Sequence, residues 1–438
     1  MQSIITKFKL LFTGILLAAI FCTSSTFALA DQQASDHKPI TQSLIALLEK
    51  DPALKSLLEK SIAEARKSNP DLKTNPAQNL ADYYDYIDEA SELIPQVVIN
   101  NPKNLIRDQI LQSICYFYFL IDQPLSELDG KGLFNNRIQY YGPFSSWLRD
   151  FANAWGQFLD TKASWSEKTY KEFYNDPRFG MKKGWYGTTN KWTTFNGFFS
   201  RFLESPSQRP IASPGDKSIV SSPADSVPQG VWTIDGDGKI HIGGGLKVKL
   251  TRYFSVEDLV GKESKYKDAF NGGVLTHNFL NVNDYHRYHF PVGGTVKEVS
   301  NLVQNVALEV AWSPDEGKYV PIDSIGWQFS QTRGVTIIDT GKHGLVALIP
   351  MGMAQVSSVN FENNVKVGSN HKKGDMLGDF LFGGSDFVML FQKNAGFELT
   401  VPADHKVVTK AGSDRGRRVT TYQHLLMGEK LGVLQGGK

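Results

Sequence analysis

The chain has 438 residues, 41% apolar and 21% charged, which is room for two or three domains and a sizeable core. Its 47 Lys and Arg stand against 45 Asp and Glu, a formal net charge of +2. A balance this close to neutral argues against nucleic acid as a partner and against purely electrostatic docking on anionic lipid.

From the N-terminus, Lys7 and Lys9 precede the apolar run Leu10 to Phe21, and Ala28-Leu29-Ala30 offers the small residues a signal peptidase needs. This predicts a signal peptide over 1–30, removed after Ala30, and an exported protein, periplasmic or secreted. A run of about a dozen apolar residues is too short to span a bilayer comfortably. No later stretch is apolar for long enough, so no transmembrane segment is expected after signal removal. Loss of Lys7 and Lys9 would bring the 47 basic residues to 45, equal to the acidic count. It would also leave Cys115 as the one cysteine, so no intrachain disulfide can form and stability must come from packing.

Residues 31–204 read as a helical N-terminal domain. Asp51-Pro52 is a helix start, followed by Leu54, Leu57, Leu58, Ile62 and Ala65 at helical spacing. Asn75-Pro76 breaks the run before Leu80, Tyr83, Ile87, Ala90 and Ile94, and a later stripe joins Trp147, Phe151, Trp155, Phe158 and Leu159. Ser205 to Gly230 is rich in Pro, Ser and Gly, and from Val231 the pattern becomes short apolar or alternating runs between glycine turns. Examples are Lys247 to Leu250, Val306 to Val310 and Leu345 to Ile349. Asp235-Gly236-Asp237-Gly238 reads as a hairpin turn, since it lacks the glutamate that would end a calcium loop. The expected fold class is α+β, with a β-rich domain over 205–438.

Two segments carry chemistry. In Asp284-Tyr285-His286-Arg287-Tyr288-His289, two imidazoles stand together, and imidazole is the natural proton carrier near neutral pH. Residues three apart on a regular strand face opposite sides, so both rings line one pocket only if the backbone twists or bulges. A metal pair and two unrelated surface histidines are the alternatives. In Phe382-Gly383-Gly384-Ser385, glycine freedom could hold a turn in which the Ser385 hydroxyl faces the Gly384 carbonyl. Attack there would exchange an amide for an ester. Elimination and hydrolysis would then leave a pyruvoyl group at the start of the downstream piece. The alternative is a plain glycine turn with an exposed serine.

The histidine segment, continued as Phe290-Pro291-Val292-Gly293-Gly294, resembles the signature of the phosphatidylserine decarboxylase family. Four further segments resemble that family in order: Phe195 to Leu203 with Arg209-Pro210-Ile211; Ser222-Pro223-Ala224-Asp225, with Ser226 where glycine is usual; Phe254 to Gly261; and Gly383-Gly384-Ser385. The likeness is to a soluble branch with an added N-terminal helical domain that includes a fungal tryptophan decarboxylase and carries Phe-Gly-Gly-Ser. The resemblance implies self-cleavage between Gly384 and Ser385 by Asp225, His289 and Ser385. Ser385 becomes the pyruvoyl cofactor that forms a Schiff base with the substrate, His289 is the self-cleavage base, and Asp225 orients His289. His286 donates the proton in decarboxylation. It implies no metal and no pyridoxal phosphate, two cut chains that stay associated, and a substrate that is either a free L-amino acid, aromatic ones included, or phosphatidylserine. Asp386, where the family has a hydroxyl residue, and Gly383 are the substrate-proximal candidates. An Asp386 carboxylate could repel an anionic substrate, attract a substrate ammonium, or face solvent without a role. A non-catalytic exported binding module that keeps the fold is the competing reading.

Overall fold

The computed structural model describes residues 36–95, 106–240, 254–322, 326–353, 359–409 and 416–436. The signal peptide expected over 1–30 and the strand expected at Lys247 to Leu250 lie outside these residues. The fold is α+β: all but one of the α-helices of the described residues precede the antiparallel strands, the short helix Val256–Val260 lying among them.

The helical part opens with α1 (Pro39–Lys50) and α2 (Pro52–Ser68). Asp51 caps α2 by accepting from the Leu54 amide at 2.9 Å, with Pro52 in the first turn, where no intrahelical donor is needed. Its apolar spacing buries Leu54, Leu58, Ile62 and Ala65. After α3 (Leu80–Ala90) and α4 (Ile106–Phe119), α5 (Gly142–Leu159) buries Trp147, Phe151, Trp155 and Leu159 as its stripe requires. The short helix α6 (Phe195–Phe199), capped by the Thr194 hydroxyl, ends the part that positions the site.

Thirteen strands follow that bear on the site: β1 (Ile219–Ser221), β2 (Val227–Thr233), β3 (Val274–Leu280), β4 (Arg287–His289), β5 (Gly294–Leu302), β6 (Arg333–Asp339), β7 (Leu345–Met353), β8 (Val359–Phe361), β9 (Asn370–His371), β10 (Met376–Phe380), β11 (Gly384–Phe391), β12 (Phe397–Leu399) and β13 (Lys430–Leu434). A seven-stranded antiparallel sheet runs β9-β5-β6-β7-β11-β3-β2, beside three-stranded sheets β1-β13-β12 and β8-β10-β4. Strand alternation divides the large sheet's side chains between two cores. From β11, Phe387, Met389 and Phe391 enter one, and Val388 and Leu390 the other.

Two expectations are corrected. Strands begin before Val231, because the Pro, Ser and Gly-rich segment already contains β1 and the start of β2. Val306 to Val310 is a strand only at its last residue. The rest runs extended against the helices: the Tyr118 hydroxyl donates to the Val306 carbonyl, Gln139 bonds both backbone groups of Leu308, and the Val310 amide donates to Asp122. Its apolar residues face helices rather than a neighbouring strand.

Candidate active site

The site forms where β4, β10 and the start of β11 meet the segment between β1 and β2. Strand β4 pairs with β10, opposing His289 to Met376 and Tyr288 to Gly378 across a register shift. One step earlier the Phe380 amide donates to the His286 carbonyl at 2.9 Å. His286 therefore precedes the strand while His289 ends it, and the ladder is irregular, so strict alternation does not govern the two rings. On the other side of His289, its amide donates to the Pro223 carbonyl at 2.8 Å, bringing Asp225 into the same region.

Beyond β10 the chain turns through Leu381-Phe382-Gly383 and enters β11. Gly383 has φ +155°, a setting that a residue with a Cβ seldom takes. Gly384 and Ser385 belong to the strand rather than to a turn, and Ser385 lies between Gly352 of β7 and Leu280 of β3. It is not the exposed serine of a plain turn: its exposure is 1%, and its hydroxyl oxygen has no hydrogen-bond partner. Aromatic contacts tie this strand start to the histidines. Tyr288, between them in sequence, packs on Phe387 with ring centroids 5.7 Å apart, and Phe382 meets Phe199 at 5.1 Å.

His286 stacks on that same Phe199 at 3.8 Å. It is fully buried, and neither ring nitrogen has a hydrogen-bond partner. Burial, with the Arg201 guanidinium nearby, holds its imidazole well below the usual histidine range, so the ring is neutral. Buried polar atoms without partners are uncommon and point to a group that arrives from outside.

His289 is placed differently. Its Nδ1 lies 2.9 Å from the Gly374 carbonyl, which can only accept, so Nδ1 carries the proton. Nε2 is then the basic nitrogen, and the Tyr285 hydroxyl donates to it at 3.2 Å. Burial pushes the imidazole down to about 4, partly offset by the Gly374 bond and by the charge of Asp225. The ring is a neutral base above that pH.

The orienting role that the family resemblance gave Asp225 is corrected here. Both Asp225 oxygens bond Arg209, Nε to Oδ1 at 2.8 Å and Nη2 to Oδ2 at 2.6 Å, and Oδ1 also accepts from the Met427 amide at 2.7 Å. Asp225 thus acts on His289 through its charge, while Gly374 and Tyr285 hold the ring. The bidentate Arg209 pair is what allows this carboxylate to be buried. Ser226, in place of glycine, is buried with its hydroxyl donating to the Ala224 carbonyl at 3.1 Å.

Asp386 is also corrected. It follows Ser385 in a regular strand and so points to the opposite face of the sheet. It neither shares the face of Ser385 nor meets solvent: it is fully buried, with Oδ1 2.5 Å from Nε2 of His277.

Arg209, Tyr285, Phe199 and His277 are the residues that sequence reasoning passed over. The first three lay inside the quoted motifs, where a buried charge and a histidine each demanded a partner. No local signal marked His277, because its partner lies across a strand pair. Among the described residues, no group of three or more His, Cys, Asp or Glu side chains gathers as a metal site would need.

Comparison with known proteins adds to this geometry. Residues 195–417 match the family model described as phosphatidylserine decarboxylase. Decarboxylase iboD of Amanita muscaria is 30% identical over 60% of this chain and 80% of that protein. A phosphatidylserine decarboxylase proenzyme of Fusobacterium nucleatum is 26% identical over 68% of this chain and 90% of its own length. An L-tryptophan decarboxylase of Psilocybe cyanescens is 26% identical over 56% of this chain and 61% of its own.

Proposed function

The chain belongs to the phosphatidylserine decarboxylase family, and on that premise we propose that it is a decarboxylase that cuts itself between Gly384 and Ser385 to make its own pyruvoyl group. The observation that carries this reading is the buried Ser385 hydroxyl without a partner, set just after Gly383. In the cut, the Ser385 oxygen attacks the Gly384 carbonyl carbon, the peptide C–N bond breaks, and an ester forms. His289, a neutral base at Nε2, takes the hydroxyl proton. The charge of Asp225 stabilises the imidazolium. Elimination across Cα–Cβ of residue 385 releases Gly384 as a carboxylate and leaves dehydroalanine. Water then displaces ammonia to leave the ketone. The two chains stay together because strands on both sides of the cut share one sheet.

The residues present fit the group, since position 385 is buried and its side chain has no protein partner to displace. A pyruvoyl group there supplies a ketone that takes up the substrate amine and accepts the electrons left as carbon dioxide departs. His286, neutral and fully buried, holds one ring N–H, passes that proton to the substrate carbon, and regains a proton from water as the product leaves. Phe199 fixes the plane of the His286 ring.

The substrate carries an amino-acid head group, and we favour a free L-amino acid. The likeness to an L-tryptophan decarboxylase supports an aromatic one. Phosphatidylserine is the second reading, supported by the family description and the bacterial proenzyme. Export is assigned on Met1 to Ala30, and N-terminal sequencing of secreted material checks the cut after Ala30. Intact mass of the purified protein is expected to show two chains meeting at Gly384 and Ser385, with Ser385→Ala left as one. A wild-type chain that stays whole on incubation refutes the proposal. Incubation with L-tryptophan and, separately, with phosphatidylserine vesicles, reading carbon dioxide and amine, decides the substrate: ethanolamine lipid without free amine reverses our preference.

A further inference from the structure

Strand β11 raises a mechanical problem if the chain is cut at its start. Ser385 is the second residue of the strand, so the cut leaves it as the first residue of a new chain, in the middle of a seven-stranded sheet. Chain ends fray unless they are tied down, because the last ladder bonds alone do not offset the freedom gained. The reacting group at residue 385 would then lose its position just as it forms.

We infer that His277 and Asp386 are the tie that keeps the new N-terminal end of the downstream chain in register after the cut. The inference rests on the self-cleavage reading above. Asp386 is the first residue beyond the new terminus with a side chain able to hold the strand. It opposes Phe279 of β3, and its diagonal neighbour on the same face is His277, opposite Val388. The Asp386 Oδ1 and His277 Nε2 atoms are 2.5 Å apart, and both residues are buried. A hydrogen bond to a carboxylate in such surroundings is among the stronger single contacts a strand can make. It lies on the face opposite Ser385, so it can hold the strand without entering the reaction. His277 and Asp386 are on this reading positioning residues.

Hydrogen exchange of the peptide 386–391, followed by mass spectrometry, tests the tie without using activity. The uncut reference is the Ser385→Ala chain. In cut wild type this peptide is expected to stay as protected as in the reference. In His277→Ala the cut chain should exchange about tenfold faster or more, the scale of a lost bond to a charged group, while the same substitution in the Ser385→Ala chain leaves it protected. His277→Gln, whose amide can still donate to Asp386, should restore protection. If the alanine chain does not fold, Asp386→Asn repeats the measurement with shape kept and the bond weakened. Equal protection in cut His277→Ala and cut wild type overturns the inference, and so does equal loosening in cut and uncut chains. A wild type that is never cut refutes the self-cleavage reading itself, and the tie falls with it.

Discussion

His289 shows how one side chain couples chemistry to stability. Its imidazole is moved from the ordinary 6.5 down to about 4, chiefly by burial. The unfolded chain therefore takes up this proton first as pH falls. Stability tied to the group is complete above about 6.5 and is lost as pH drops from there toward 4, by on the order of 3 kcal/mol. Denaturant unfolding at a series of pH values should show this slope, and His289→Gln should flatten it. At neutral pH the same shift keeps the ring neutral, the state that the proposed self-cleavage requires of it. Arg209 makes a second residue-scale case, because its guanidinium holds both oxygens of the buried Asp225. Arg209→Ala would leave that carboxylate buried and unpaired, at a cost of about 3 to 5 kcal/mol. Thermal melting of the purified variant measures it.

Strand β10 sets the site at the scale of an element, and Gly378 sets the strand. A Cβ at Gly378 would lie 1.8 Å from the Asn360 carbonyl oxygen and 2.8 Å from the Tyr288 ring. Gly378→Ala must therefore open β8 from β10 or displace Tyr288, which separates the two histidines in sequence. A loss of about 1 to 3 kcal/mol is expected, with slower cutting at Ser385 in chains that still fold. Urea unfolding and timed intact-mass spectra read the two effects. Elements were legible in the sequence to unequal degrees. Helix α2 could be placed from Asp51-Pro52 and its apolar stripe, since cap and periodicity are local. Strand β1 was lost among prolines and serines because it is three residues long and is held by β13, more than two hundred positions away. Val306 to Val310 has the composition of a strand, yet most of its backbone partners are side chains from the helical part.

Across the whole molecule, that same segment joins helices to strands. Asp122 accepts from the Val310 amide at 2.8 Å and from Gln139 at 2.5 Å, and it pairs with Arg137 at 3.0 Å. Asp122→Ala would leave the buried Val310 amide without its acceptor and remove the Gln139 and Arg137 contacts at this junction, and a loss of about 3 kcal/mol is expected. Calorimetry should then show a lower or broadened transition if the helical part loosens from the β-rich part. The junction bears on function because Phe199 and the Trp155–Phe382 contact bring the helical part to the site.

The sequence by itself determined the fold class and the ordered motifs, and it singled out Ser385, His286, His289 and Asp225 as candidates, since these rest on local periodicity and on residue types within short motifs. Tertiary structure alone decided what each of them touches. Asp225 faces Arg209 rather than His289, Gly374 and Tyr285 hold the base, and strand alternation turns Asp386 away from Ser385 toward His277. The physical reason is that a buried polar group takes whichever partner the packed chain brings to it, and every one of those partners except Tyr285 lies outside its own short motif.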